Sequence, residues 1–177
     1  MTKLTCVHKP KGYSRCMLLL YIVLTLTGLS ACQPKEINLP FETIERQELS
    51  GYRDKEPALI VIAKPEEIAS LDALVSHEIQ SRLQTLDYDA QLVVVIFQGW
   101  KPTTRYGAQI DRVTRRDSEV TVYAEFSEPK SNEPTGDLAT SPYHMVRVQK
   151  MRVWGQQINF NLVADGVIVA YLSHYVP

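Results

Sequence analysis

The run Leu92-Val-Val-Val-Ile-Phe97 contains no polar residue and is bracketed by turn-forming residues, Asp87-Tyr88-Asp89 before it and Gln98-Gly99 after. A short apolar run rich in β-branched residues reads as a strand, and one that leaves no position for a wet face reads as the centre of a sheet. The rest of the chain must therefore supply its neighbours. Ala58-Leu-Ile-Val-Ile-Ala63, held between Pro57 and Pro65, is a second such run and is expected to be buried on both faces. Between the two, Pro65-Glu66-Glu67 places a proline and two acids where a helix N-terminus favours them, and Leu71, Val75, Ile79, Leu83 and Leu86 follow at spacings of three and four. That pattern predicts one amphipathic helix over roughly residues 66–85.

After Gln98 the period becomes two. Val120, Val122, Ala124 and Phe126 alternate with Thr121, Tyr123 and Glu125, the pattern of a sheet with one wet face. Tyr106–Thr114 precedes this segment across Arg115-Arg116-Asp117-Ser118, which predicts a hairpin. Residues 127–142 carry Pro129, Pro134, Gly136 and Pro142 among polar side chains and predict a long surface loop. Tyr143–Val153 resumes a strand whose apolar parity slips between Val148 and Met151, a sign of a bulge or break near Gln149. Ile158, Phe160 and Leu162 alternate with asparagines, and Asp165-Gly166 separates them from Val167-Ile-Val-Ala-Tyr171-Leu172, which predicts a closing hairpin. Upstream, Phe41–Leu49 reads as a first strand ended by Ser50-Gly51, and residues 33–40, with Pro34 and Pro40, read as an extended tether. The fold class that follows is α+β. A single domain over residues 41–177 is expected to hold about seven or eight largely antiparallel strands, sandwich-like, with one principal helix.

Charge and motif content narrow the function. The chain has 19 basic and 20 acidic residues, and without Lys3, Lys9, Lys11 and Arg15 of its first segment 15 face 20, a formal charge of about −5. Nucleic acid is not an expected partner of so acidic a domain. The sequence contains no GxSxG, HExxH, phosphate-cradling glycine loop or dinucleotide-binding glycine turn. His77, His144 and His174 are scattered singly and read as solvated or structural. Asp87 and Asp89 form a DxD pair that reads as turn acids, because no further carboxylates follow at calcium-ligand spacing. No catalytic residue, metal or cofactor is assigned, and a non-enzymatic role is expected. Arg112, Arg115 and Arg116 make a small basic patch at a hairpin end. Trp100, Tyr106 and Trp154 are candidates either for a recognition surface or for cover of the sheet.

The N-terminus speaks to location. A basic segment from Met1 to Arg15 runs into the apolar stretch Met17–Gly28, about a dozen residues where a membrane-crossing helix needs roughly 20, so it reads as an export signal. Leu29-Ser30-Ala31-Cys32 then resembles the bacterial lipobox: an aliphatic residue, two small residues that let a signal peptidase approach, and the cysteine whose thiol is acylated. Residues 1–31 are expected to be removed, and residues 32–40 to be the lipidated cysteine and tether. The domain would then sit outside the cytoplasm in the cell envelope, anchored to a bacterial membrane through lipid on Cys32. Cys6 and Cys16 leave with the leader, so no disulfide, thiolate catalyst or cysteine-based zinc site is expected in what remains.

Gly99-Trp100-Lys-Pro102-Thr103-Thr-Arg-Tyr106-Gly107-Ala-Gln-Ile110, followed by an alternating strand, a proline-containing loop and Ser141-Pro142-Tyr143-His-Met-Val146, resembles the C-terminal domain of the PrcB-type protease-complex subunits over residues 92–150. The resemblance implies that Gly99, Pro102, Thr103, Tyr106 and Gly107 shape the turn entering one strand, and that Pro142 and Tyr143 shape the turn entering a later one. Thr104 and Arg105 stand where the family has glycines. The resemblance also implies an exported, often lipid-anchored accessory subunit that binds and stabilises a surface protease. The leading expectation is therefore a membrane-anchored module that binds a protein partner through a sheet face or through the loops at 99–107 and 127–142. The alternative is a small-ligand or glycan-binding lipoprotein, which requires Trp100, Tyr106 and Trp154 to converge on one concavity.

Overall fold

Each alternating segment forms a strand, and the burial of its residues sorts the strands into two sheets. The computed structural model describes residues 35–177. In chain order the strands are β1 (Ile37–Asn38), β2 (Phe41–Gln47), β3 (Ala58–Ile62), β4 (Gln91–Phe97), β5 (Gly107–Arg116), β6 (Glu119–Ser127), β7 (Tyr143–Gln149), β8 (Gln156–Ala164) and β9 (Val167–Val176). One sheet has the order β1-β5-β6-β8-β9 and the other β2-β7-β4-β3. Neighbours are antiparallel except β6 and β8, which run parallel. The α+β, β-rich, largely antiparallel class read from the sequence is the class observed.

The all-apolar character of β4 follows from its place between two layers. Leu92, Val94 and Ile96, with Leu59, Val61, Val146 and Val148, pack across onto Ile110, Val113, Val120, Val122, Ile158, Phe160 and Leu162 of the five-stranded sheet. Val93, Val95 and Phe97, with Ile62, Tyr143 and Met145, face Ile68, Leu71, Ile79 and Leu83 of the helical layer. A period of two with both parities buried needs cover on both sides, and both covers are present.

The single helix predicted over residues 66–85 is two short pieces. A 3₁₀ helix spans Pro65–Leu71, and α1 spans His77–Leu83. Asp72 leaves the helical region at ψ 135, Ala73 takes φ +61, and Ser76 accepts a hydrogen bond from the Ile79 amide to start α1. The cause is tertiary: the turn at Gly51 donates its amide to the Leu74 carbonyl at 2.8 Å, and a Cβ at position 51 would lie 1.5 Å from the Ala73 carbonyl oxygen. The apolar spacing survives the break because Leu71, Leu74, Val75, Ile79 and Leu83 all serve the same layer.

The stretch read as a tether is also corrected from Ile37 onward. Ile37 and Asn38 pair with Arg115 and Thr114, and Leu39 is 2% exposed and donates its amide to the Val113 carbonyl. Ile37, Leu39 and Phe41 recur at period two, and that apolar alternation outweighs the prolines. Arg115 and Arg116 belong to β5, and the turn contracts to Asp117-Ser118 with Asp117 at φ +51. β7 ends at Gln149, where the parity slips. Asp165 and Gly166 take φ +51 and +77, the two left-handed positions of a type I′ hairpin.

Candidate functional site

β4 and β7 are neighbours in one sheet, and β5 and β6 are neighbours in the other, so the chain crosses between sheets through residues 98–106 and again through 128–142. Phe97 pairs with both Tyr143 and Ala58, which puts the two crossings and the β2–β3 loop at the same end of the sandwich. The crossings are tied together. The Lys101 amide donates to the Thr140 carbonyl at 2.8 Å and the Thr140 amide returns to Lys101 at 2.9 Å. Thr140 Oγ1 donates to the Thr103 carbonyl at 2.8 Å, and the Gly136 amide donates to Thr104 Oγ1 at 2.8 Å. The third loop joins through the Trp100 amide, which donates to the Asp54 carbonyl at 2.7 Å.

Gly99 is required where it stands. Its φ is +94, and a Cβ there would sit 2.2 Å from the Lys55 carbonyl oxygen. Arg105 occupies a position where the resembling family has glycine, and it takes the left-handed conformation a glycine would supply, φ +74. Its guanidinium reaches Glu133 at 3.5 Å. Thus the departure at Arg105 leaves a glycine-like backbone and links the turn to the long loop. Gly107 abuts Ser127, whose Oγ would lie 2.7 Å from a Cβ.

Beside this cluster a cleft of about 580 Å³ opens between the end of β2 and the start of β5, lined by Arg46, Leu49, Arg105, Tyr106, Gly107 and Ser127 among others. Leu49 and, on the long loop, Leu138 are each 56% exposed. Lys101 Nζ lies 5.5 Å from the centre of the Tyr106 ring. Trp100, Thr103 and Tyr106 are half-buried and Pro102 is exposed, so the predicted turn is a surface feature.

Tyr143 is not one. It is 3% exposed, its ring stacks on Phe97 at 5.8 Å, and burial, reinforced by Glu45, pushes its hydroxyl up to about 12. Pro142 is buried and receives the Gln98 amide on its carbonyl. These two shape the site from within.

Behind the cleft lies a residue that pattern reading left as merely structural or solvated. His144 is 3% exposed and faces the inter-sheet layer. The Ile110 amide donates to its Nδ1 at 2.8 Å, so the proton resides on Nε2, which donates to Thr43 Oγ1 at 2.9 Å. Register shifts between Thr43 and Glu45 in β2, and between Ile110 and Arg112 in β5, occur beside these two contacts. His144 thus joins three strands of two sheets where both ladders are interrupted. Burial, with Arg46 nearby, holds its pKa down to about 4, so the ring is neutral. Its parity with Val146 and Val148 is the signal that points it inward. Gln98, 2% exposed, similarly spans the layer by donating Nε2 to the Ser127 carbonyl at 3.1 Å.

The remaining candidates separate. Trp154 follows the opposite end of β7 from Trp100 and Tyr106, so the three rings do not converge. The arginine patch also divides: Arg112 stacks on Tyr123 at 4.0 Å, Arg115 is buried against Trp154 at 3.9 Å, and Arg116 pairs with Glu36 at 3.5 Å. Asp87 accepts the Asp89 amide, as turn acids do. Among the described residues no group of three or more His, Cys, Asp or Glu is placed to hold a metal, and no helix is long and apolar enough to cross a membrane. Leu29, Ser30, Ala31 and Cys32 lie outside the described residues.

Fold and site together define a β-sandwich whose two sheets are joined by paired crossing loops at one end. The family model described as PrcB C-terminal matches residues 92–149, the stretch from β4 through β7 that contains both crossings. No curated protein and no solved structure matches the chain.

Proposed function

We propose that this protein is a membrane-anchored, non-enzymatic accessory subunit that holds a protein partner, an exported protease, at the loop end of its sandwich. The observation that carries the reading is the coincidence of the PrcB C-terminal match with the four strands whose crossings build that end. Tyr106, Leu49 and Leu138 give it apolar and aromatic contact area, and Arg46 and Arg105 give it polar reach, the mixture that protein interfaces use. The histidines support a binding rather than a catalytic role: His144 is committed between sheets, and His174 to Glu67 at 2.9 Å. Anchoring through Cys32 is supported by the lipobox-like sequence. The chain enters β1 beside Arg115, at the other end of the molecule from the crossings, so an N-terminal anchor leaves the proposed binding end free.

The test is a gentle crosslink followed by pull-down from detergent-solubilised membranes of the native host. A protease recovered with the wild type and lost on Leu138→Asp, with unchanged thermal unfolding, is the expected result. Repeated recovery of this protein alone contradicts the proposal.

A further inference from the structure

The end opposite the candidate site carries an exposed apolar tip. In residues 150–155, between β7 and β8, Met151 is 41% exposed and Val153 82%. The tip is held in shape. Arg115, itself 5% exposed, donates from Nη1 to the Met151 carbonyl at 3.2 Å, from Nη2 to the Val153 carbonyl at 2.8 Å and from Nε to the Asp117 carbonyl at 2.7 Å. Trp154 stacks on that guanidinium and donates its indole N–H to the Met151 carbonyl at 3.0 Å. Arg152 and Gly155 take φ +66 and +86, left-handed positions that turn the backbone sharply. A buried arginine thus fixes a strained loop whose outermost side chain is a valine in water, which gains the fold nothing by itself.

The chain joins the domain at this same place. Ile37 pairs with Arg115 and lines one cleft with Arg152 and Val153. Cys32 stands five positions before Ile37, and a fully extended span of that length reaches at most about 18 Å. On the reading that Cys32 is acylated, on which this inference rests, Ile37 is held within that distance of the lipidated cysteine, and the tip lines the same cleft as Ile37. Charge around it is mixed, Lys35, Arg116 and Arg152 against Glu36 and Asp117, so attraction to lipid here is apolar and interfacial. A tryptophan beside exposed aliphatic side chains suits the headgroup boundary. The geometry points to residues 151–154 as a lipid-contacting foot: Met151 and Val153 seat among the headgroups of the bilayer that Cys32 enters, and the sandwich stands end-on with its crossing loops away from the surface.

Trp100 and Trp154 are the only tryptophans of the chain and follow opposite ends of the β4–β7 pair, about 20 Å apart along the strands. They allow a direct test in the full, membrane-extracted protein, with acylation verified by intact mass and the protein reconstituted in phosphatidylcholine vesicles with brominated acyl chains. Trp154 emission, read in Trp100→Phe, is expected to be quenched several-fold more than Trp100 emission, read in Trp154→Phe, and Val153→Asp is expected to relieve that quenching without changing far-ultraviolet circular dichroism. Acylated protein in which Trp154 is quenched no more than Trp100, or in which Val153→Asp changes nothing, overturns the foot and leaves the anchor standing. A mass lacking acyl chains overturns the anchor and the foot together.

Discussion

His144 contributes to stability only while neutral. Its folded-state pKa is lowered to about 4 from an ordinary 6.5, so the unfolded chain takes up the proton first as pH falls. The contribution is complete above pH 6.5 and is lost progressively down towards pH 4. Between pH 7 and pH 5 this amounts to up to roughly 2 kcal/mol, which the urea midpoint followed by circular dichroism will show as a steady decrease. A midpoint that stays level over that interval contradicts the buried neutral ring. Gly99 makes a second prediction at this scale. Gly99→Ala must place a Cβ at a left-handed position and against the Lys55 carbonyl, at a cost of about 2–3 kcal/mol, lowering the melting temperature by on the order of 5–10 °C. An unshifted melting curve contradicts the tight apposition of the loops.

Among elements, the strands were far more legible than the helices. β4 was evident in six consecutive apolar residues, and the β8–β9 hairpin in Asp165-Gly166, because each signal is local: a period and a turn dipeptide. The helix break at Asp72–Ser76 was hidden because its cause is the approach of Gly51, distant in sequence, while the apolar spacing on either side continues as if unbroken. β1 was hidden for the opposite reason, since two prolines masked the alternation of Ile37, Leu39 and Phe41. The 150–155 loop depends on one side chain. Arg115→Ala removes three charge-assisted hydrogen bonds and the stack under Trp154, so a loss on the order of 2–4 kcal/mol and faster tryptic cleavage after Lys150 and Arg152 are expected. Cleavage at the wild-type rate contradicts the role assigned to Arg115.

At the scale of the molecule, the sequence could identify turn residues but not where they meet. Gly99, Pro102, Thr103, Tyr106 and Gly107 share an end with the long loop because the strand order places β4 beside β7 and β5 beside β6, and non-local pairing of that kind leaves no local pattern. The same order sends Trp154 to the far end, next to the point where the chain enters, and so removes the convergence that a glycan site would need. What results is a module with two unlike ends. One holds the entry of the chain into β1 and an exposed apolar tip, and the other holds the paired crossings of the stretch that the PrcB C-terminal model matches. The most direct test of this arrangement places a photo-crosslinking amino acid at position 138 or at position 153 of the full chain in cells of the native host. A crosslink from position 138 to an exported protease, and none to that protease from position 153, is the expected result. A protease captured from position 153 and not from 138, or no protein captured from 138 at all, contradicts it.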